Sequence, residues 1–379
     1  MKVLHLTHTD INSDSRILKE MQAIANADMA FDVRGIGIKS VTSPKASANV
    51  KNIEISSIFL ETRAWRFLPT SLRHFFSGVE ALLKMVPKSI KFKPDIVHCH
   101  DAFALPLAAL VKLFSGARLV YDAHELESQK NGQSRLSGKL TLIGERLLWR
   151  FVGTLIVVSP SIRKWYHDNI GEKRSEIILN APVSQKKNDA YGKSYLRDKF
   201  CIPESSKIFI YIGGFSQGRG IELSVEAFTK KGISSHVVFL GYGEQKDRLL
   251  ELSEEHGNLH VHDSVAHEDV VAVTKSADIG LCLIENVSLS DYLCLPNKLF
   301  EYAFSGLPVL ASDFPDMSSV INRYNLGKCS DLDPASIYES IKEFEGESEL
   351  LKIDSSKLFD LSWEAQGDKL EKMYREFFA

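Results

Sequence analysis

SDYLCLPNKLFEYAFSGLPVLASD (Ser290–Asp313) changes character twice. Pro296, Asn297 and Lys298 open a short amphipathic helix that carries Glu301 in its first turns. Gly306 and Pro308 then stop it, and an apolar strand follows. Asn297 and Lys298 sit where backbone N–H groups have no partner within the helix and where its dipole is positive. Glu301 lies about one turn beyond Asn297, so both can face one ligand. A carboxylate beside a phosphate cradle is repelled by phosphate itself but suits a diol such as ribose. Alone, Glu301 reads equally well as an ordinary first-turn acid favoured by the dipole.

Outward from this stretch, short apolar runs alternate with helical patterns, the mark of parallel α/β layers. KVLHLTH, DIVHCH, ARLVYDAHE and TLIVVSP read as buried strands of a first half, with SRILKEMQAIANA and AFALPLAALVKLFSG as helices between them. The polar stretch Ala181–Ser206 reads as a linker and a first helix of a second domain. Beyond it, KIFIYIGG, HVVFLGYG, LHVHDSV, ADIGLCLIE and LPVLASD read as strands, with helices near 221–231, 244–256, 267–276 and 297–305. The expectation is two Rossmann-like, doubly wound α/β domains facing a cleft. Residues 1–180 form the first and 181–361 the second, and a helix over 362–379 packs back on the first. Ligands of such folds sit in the cleft.

The chain has 379 residues, with 46 basic and 49 acidic side chains, a net charge of -3. Residues 1–180 hold 25 basic against 17 acidic groups, whereas the remainder holds 21 against 32. The first half therefore suits an anionic surface or phosphate. Five scattered cysteines without paired spacing point to reduced thiols in the cytoplasm. The N-terminus reads as a strand rather than a signal peptide, and no apolar run is long enough to span a bilayer.

YIGGFSQGRGIELSVEAF (Tyr211–Phe228) is a strand, a glycine-rich turn and a helix start. Gly213, Gly214, Gly218 and Gly220 let N–H groups approach an anion, and Arg219 adds a charge with bidentate reach for phosphate. A tight strand–helix turn with a solvated arginine is the plainer reading. The spacing matches neither the dinucleotide nor the P-loop fingerprint.

Taken together, the RG-terminated glycine loop, the LGYG turn and NKLFEYAFSGLPVLASD resemble the donor domain of GT-B glycosyltransferases of retaining family 4. HCHD, YDAHE, VVSPSIRKWY and ILNAPV fit the family's first domain in the same order. The resemblance covers nearly the whole chain. It implies that Arg219 neutralises a donor diphosphate, that Glu301 binds ribose, and that His100 lines the donor-sugar pocket. Asp14 and Arg16 fall where the family binds its acceptor. Two departures stand out: Leu293 where the family pattern has a first glutamate, and Gly214 where many members carry a second basic residue. Lys298 is the candidate to supply that charge.

HCHD could also hold a metal, but strand alternation puts His98 and His100 on one face and Cys99 on the other. No metal site is expected. Asp122, His124 and Glu125 crowd a strand end where acid–base groups fit, and His124 is taken as facing the cleft. The expected catalytic set is Arg219, Lys298, His100 and His124. Donor contacts are Gly213, Gly214, Asn297, Leu299 and Glu301, and acceptor contacts Asp14 and Arg16. Residues 63–93 mix Arg63, Arg66, Arg73 and lysines with Trp65, Phe67, Phe75 and Phe76, so they suit anionic lipid headgroups as well as a packed helix with a basic edge. No motif accompanies the charge that would suggest nucleic acid.

The expected activity is retaining transfer of a hexose or N-acetylhexosamine from a nucleotide-diphosphate sugar to a glycan or polyprenyl-linked acceptor, in cell-surface polysaccharide synthesis. It needs no cofactor or metal and takes place at the inner face of the cytoplasmic membrane. A sugar-nucleotide-binding protein without transferase activity, or a hydrolysing epimerase, is the alternative.

Overall fold

Seven parallel strands build the first sheet: β1 (Lys2–Leu6), β2 (Asp32–Ile38), β3 (Ile53–Ile58), β4 (Ile96–His100), β5 (Arg118–Ala123), β6 (Thr154–Val157) and β7 (Arg174–Ile177), in the order β3-β2-β1-β4-β5-β6-β7. Its helices are α1 (Ser15–Ala25), α2 (Thr70–Phe92), α3 (Leu105–Ser115), α4 (Arg135–Leu148) and α5 (Pro160–Asn169). Six parallel strands build the second: β8 (Ile208–Gly214), β9 (His236–Tyr242), β10 (Leu259–Asp263), β11 (Ile279–Cys282), β12 (Val309–Ser312) and β13 (Gly327–Ser330), in the order β10-β9-β8-β11-β12-β13. With it run α6 (Tyr195–Phe200), α7 (Ile221–Phe228), α8 (Lys246–Glu255), α9 (Val270–Thr274), α10 (Leu289–Tyr292), α11 (Asn297–Ser305), α12 (Pro315–Tyr324) and α13 (Pro334–Gly346), whereas α14 (Trp363–Arg375) belongs from residue 366 onward to the first unit. This computed structural model describes residues 1–27, 30–40, 53–183, 191–266 and 269–377.

By internal contacts the chain divides into residues 1–178 with 366–379, and residues 179–365. Of the linker expected over 181–206, residues 184–190 lie outside the described residues, as do 267 and 268 of the helix expected at 267–276. Both sheets are two Rossmann-like, doubly wound α/β layers. Their strand order reverses between β1 and β4 and between β8 and β11, the switch points where such folds place ligands.

Central strands are apolar because helices cover both faces, and the first sheet departs from that rule at its switch point. In the first sheet His5 pairs with His98, and His100 with Asp122, across neighbouring strands. All four are sealed from solvent. In the second, Phe209, Phe228 and Phe344 fill the core as edge-to-face pairs. Burying each contributes on the order of 2–3 kcal/mol.

Candidate active site

In the second unit β8 ends at Gly213 and Gly214, both exposed, and the loop closes on Gly220 before α7. Gly220 has φ +72°, and a Cβ there would lie 1.9 Å from the Leu283 carbonyl oxygen. Only glycine lets this loop lie against the strand end. The Gly220 N–H donates to Glu285 Oε1 at 3.0 Å, and the Glu285 N–H donates to the Gly218 carbonyl at 3.0 Å. One amide expected to meet an anion is therefore already held by a carboxylate, which the helix dipole favours.

Arg219 leans out of this loop and pairs with Asp291 at 3.4 Å. Asp291 is buried and fixed by the Ser288 hydroxyl at 2.7 Å. This carboxylate aims the guanidinium, and no motif marked it.

Tyr302 anchors α11 at the switch point. Its hydroxyl accepts from the Ile212 N–H and donates to the Leu281 carbonyl, each at 3.0 Å, so it bridges β8 and β11. A Cβ on Gly280 would meet the Tyr302 ring at 2.3 Å. Residue 280 must be glycine for the helix to come this close. Beyond this anchor α11 begins at Asn297, with Pro296 before it and no side chain capping it.

Lys298 extends from that turn over Tyr211, its Nζ 3.8 Å from the ring centre. The Nζ is shielded and makes no hydrogen bond with the described residues. Burial pulls its pKa down to about 8, and Arg219 adds to the push. The structure thus brings Arg219, Lys298 and Glu301 into one electrostatic neighbourhood. Asn297 is exposed beside them and Glu301 is half-buried. Leu299 differs from expectation: its side chain is fully buried and its N–H donates to the Pro296 carbonyl at 3.1 Å. It packs the helix and offers a donor no side-chain contact.

In the first unit the expected residues lie in an interior polar network. Arg16 is 3% exposed; it forks onto Asp122 at 3.0–3.3 Å, donates to the Ile178 carbonyl at 3.1 Å and pairs with Glu20 at 3.0 Å. It is therefore a buried structural cation and no acceptor contact. Its charge drives Asp122 well below the usual carboxylate range against the cost of burial. Asp14 caps α1, accepting from the Arg16 and Ile17 N–H groups at 3.1 Å.

His100 is likewise sealed, which removes it from any sugar pocket. Its Nε2 meets His5 Nδ1 at 2.9 Å, its Nδ1 meets His124 Nε2 at 3.1 Å, and its ring stacks on His98 at 4.5 Å. Burial and His98 drop its pKa to about 3, so it is neutral. Central β4 is covered on both faces, and that coverage closes over it.

His124 is the network's outer member, a little exposed. Burial lowers its pKa, but Asp122 at 3.1 Å and Asp101 at 3.5 Å outweigh burial and raise it to about 10. At neutral pH it is an imidazolium, a fixed charge and proton donor rather than a base. Asp101 itself has φ +66°. A non-glycine residue held there stores strain of the kind that clusters at functional sites. Asp101 is the last residue of HCHD, and nothing in the spacing of that motif marks it.

His5, Glu20, His98 and His100 lie within 4.8 Å of one another, as do His100, Asp122 and His124. The rings of His5, His98 and His100 stack, their nitrogens meet edge to edge at 2.9–3.1 Å along His5–His100–His124, and the Arg16 cation sits against Glu20.

Two sequence profiles match the chain: Glycosyltransferase Family 4 over residues 41–181 and Glycosyl transferases group 1 over residues 193–353. The chain belongs to the group 1 glycosyltransferases of the GT-B fold. This glycosyltransferase is 23% identical over 271 residues to a chitobiosyldiphosphodolichol beta-mannosyltransferase of Candida glabrata, covering 62% of the chain and 59% of that protein. The Candida albicans enzyme of the same name is 23% identical over 259 residues, covering 61% and 56%. The matches span less than two thirds of these relatives. Among solved structures, sucrose-phosphate synthase from Thermosynechococcus elongatus superposes with TM-score 0.80 at 15% identity, covering 100% and 99% of the two chains. Anabaena HepE with UDP superposes at 0.73 and 14%, covering 99% and 100%. At these identities the likeness is one of fold.

Proposed function

We propose that this glycosyltransferase moves a hexose or N-acetylhexosamine from a nucleotide-diphosphate sugar to a hydroxyl of a lipid-linked or glycan acceptor, with retention of configuration. The observation that carries this reading is Lys298. Its ammonium is shielded and makes no hydrogen bond with the described residues, at the uncapped start of α11 and beside Arg219. A buried cation is costly unless paired, and a donor diphosphate is the pair that a transferase needs. Glu301, one turn along, takes the ribose hydroxyls. Fixed cations and a helix N-terminus then offset the charge that grows on the departing diphosphate, without a metal.

In the proposed step the sugar C1–O bond to the diphosphate breaks as the acceptor oxygen bonds C1 on the same face. The acceptor proton passes to a donor phosphate oxygen. The Candida relatives, named for a diphosphodolichol substrate, support a lipid-linked acceptor.

Work at the cytoplasmic face of a membrane is part of the reading. No helix among the described residues is long and apolar enough to cross a bilayer. Within the segment 63–93, Phe67, Leu72, Phe75 and Leu83 are exposed. On α4, outside that segment, Leu136, Leu140, Ile143 and Leu147 form a second exposed stripe, each 51–68% accessible. Basic side chains flank both, the pattern of surfaces that lie on anionic lipid.

Calorimetric titration of UDP, GDP and ADP into the wild type and Glu301→Ala tests the donor site. One nucleotide should bind, and the variant should weaken it by about 1–3 kcal/mol. Equal binding to both proteins, or none to either, overturns the reading.

A further inference from the structure

The first unit contains a cavity of about 830 Å³ that none of the expected site residues line. It opens between the turn Glu61–Ala64, α2 and α3. Arg63, Arg66, Arg73 and His74 stand on its wall, with His8 deeper in. Leu60, Phe75, Val79, Leu82, Phe103 and Leu107 supply most of the rest. Among the described residues its lining holds no aspartate, glutamate, asparagine or glutamine. None of the three arginines is ion-paired to a described residue.

Three guanidinium groups without counter-charge call for an anion, and arginine forks match phosphate oxygens. Hydrocarbon walls call for hydrocarbon. A sugar, by contrast, is read by side-chain amides and carboxylates, which this lining lacks; its one hydroxyl, on Ser77, already accepts from Thr62 at 3.0 Å. A nucleotide fails on the same ground, because no described carboxylate or amide of this lining would accept from ribose. We infer that this cavity binds the carrier of the acceptor: a prenyl chain headed by phosphate or diphosphate, held by its lipid and anion rather than by its sugar. The volume lies within the range of small-molecule sites.

The cavity also meets the polar network. His8 Nδ1 is shielded, 3.9 Å from Asp101 Oδ2, and Asp101 pairs with His124 at 3.5 Å. A ligand seated against His8 is thus one residue away from the strained Asp101 and its imidazolium. Outward, the exposed Leu72 and Phe76 of α2 continue the apolar surface along which a membrane-borne chain would arrive.

The inference rests on the lipid-linked acceptor reading, and its test runs apart from donor binding. Farnesyl diphosphate, farnesol and inorganic diphosphate are titrated into the full chain in the presence of saturating UDP, so that the donor site cannot take up anion. Farnesyl diphosphate should bind at least about tenfold more tightly than either fragment, a difference of about 1.4 kcal/mol. The double variant Arg66→Ala/Arg73→Ala should lose at least about that factor, and Leu82→Trp, which fills the cavity, should do the same. UDP affinity should not move in either variant.

Equal binding of inorganic diphosphate would make this a free-anion site, and equal binding of farnesol a plain apolar one; each overturns the inference. So does farnesyl diphosphate binding that ignores both variants. If UDP fails to bind while farnesyl diphosphate behaves as expected, the donor reading falls and the carrier site stands.

Discussion

Lys298 holds its ammonium 3.8 Å above the centre of the Tyr211 ring. The ring face attracts a cation, yet it gives Nζ no hydrogen bond, and burial lowers the pKa to about 8. The free protein thus carries a destabilising charge, which the proposed diphosphate ligand would relieve. Lys298→Met keeps the volume and removes the charge. It should raise unfolding stability by about 1–2 kcal/mol in urea while weakening the bound nucleotide diphosphate at least about tenfold. A variant that is less stable, or that binds nucleotide equally well, contradicts this account.

The same group gives a proton signal. Between pH 8 and its unfolded value of 10.5, the unfolded chain keeps a proton that folded Lys298 has lost. Stability of the ligand-free wild type, measured against Lys298→Met, should therefore rise across that window. A diphosphate restores the proton, so nucleotide binding near pH 8 should take up part of one. Titrations in two buffers of different ionisation enthalpy read that uptake, and identical heats would argue against it.

Much of this was legible in the chain, for local reasons. Apolar strands, a glycine loop and a proline-led helix start are written in neighbouring residues. What escaped is set by tertiary contact. Asp291 aims Arg219, Glu285 takes the Gly220 N–H and Tyr211 lies under Lys298, and no spacing announces any of them. The family resemblance puts Arg16 among acceptor contacts, but Asp122, from a distant strand, draws it into the interior. The α4 stripe shows the limit of periodicity: a helix stripe has the same spacing whether it is packed into a core or left exposed.

Gly220→Ala tests the tightest point of the donor loop. The added methyl would sit 1.9 Å from the Leu283 carbonyl at a φ that L-residues avoid. The expected cost is about 3 kcal/mol or more, with nucleotide binding lost in proportion as the loop shifts. Unfolding near the wild-type midpoint would show that the loop has slack.

Arg16→Met separates a structural cation from an acceptor ligand. Removing one partner of a buried pair strands the other, here Asp122, and costs roughly 3–5 kcal/mol. Chemical denaturation should show that loss. A variant as stable as wild type with a raised acceptor KM would return Arg16 to the acceptor site.

His124 should leave its mark on the pH dependence of stability. Its folded pKa of about 10 lies above its unfolded 6.5, because Asp122 and Asp101 hold the imidazolium more strongly than burial opposes it. Such a raised value stabilises fully below pH 6.5, where both states carry the proton, and the gain disappears as pH climbs through 10. His124→Gln keeps a donor for Asp122 but cannot titrate. The stability difference between wild type and variant, followed by urea midpoints from pH 5.5 to 10.5, should stay flat to about 6.5 and then shrink steadily. Lys298 is common to both proteins, so its opposite trend cancels. A difference that is constant across the range would mean that folding leaves the His124 pKa at its unfolded value and that Asp122 and Asp101 do not hold an imidazolium.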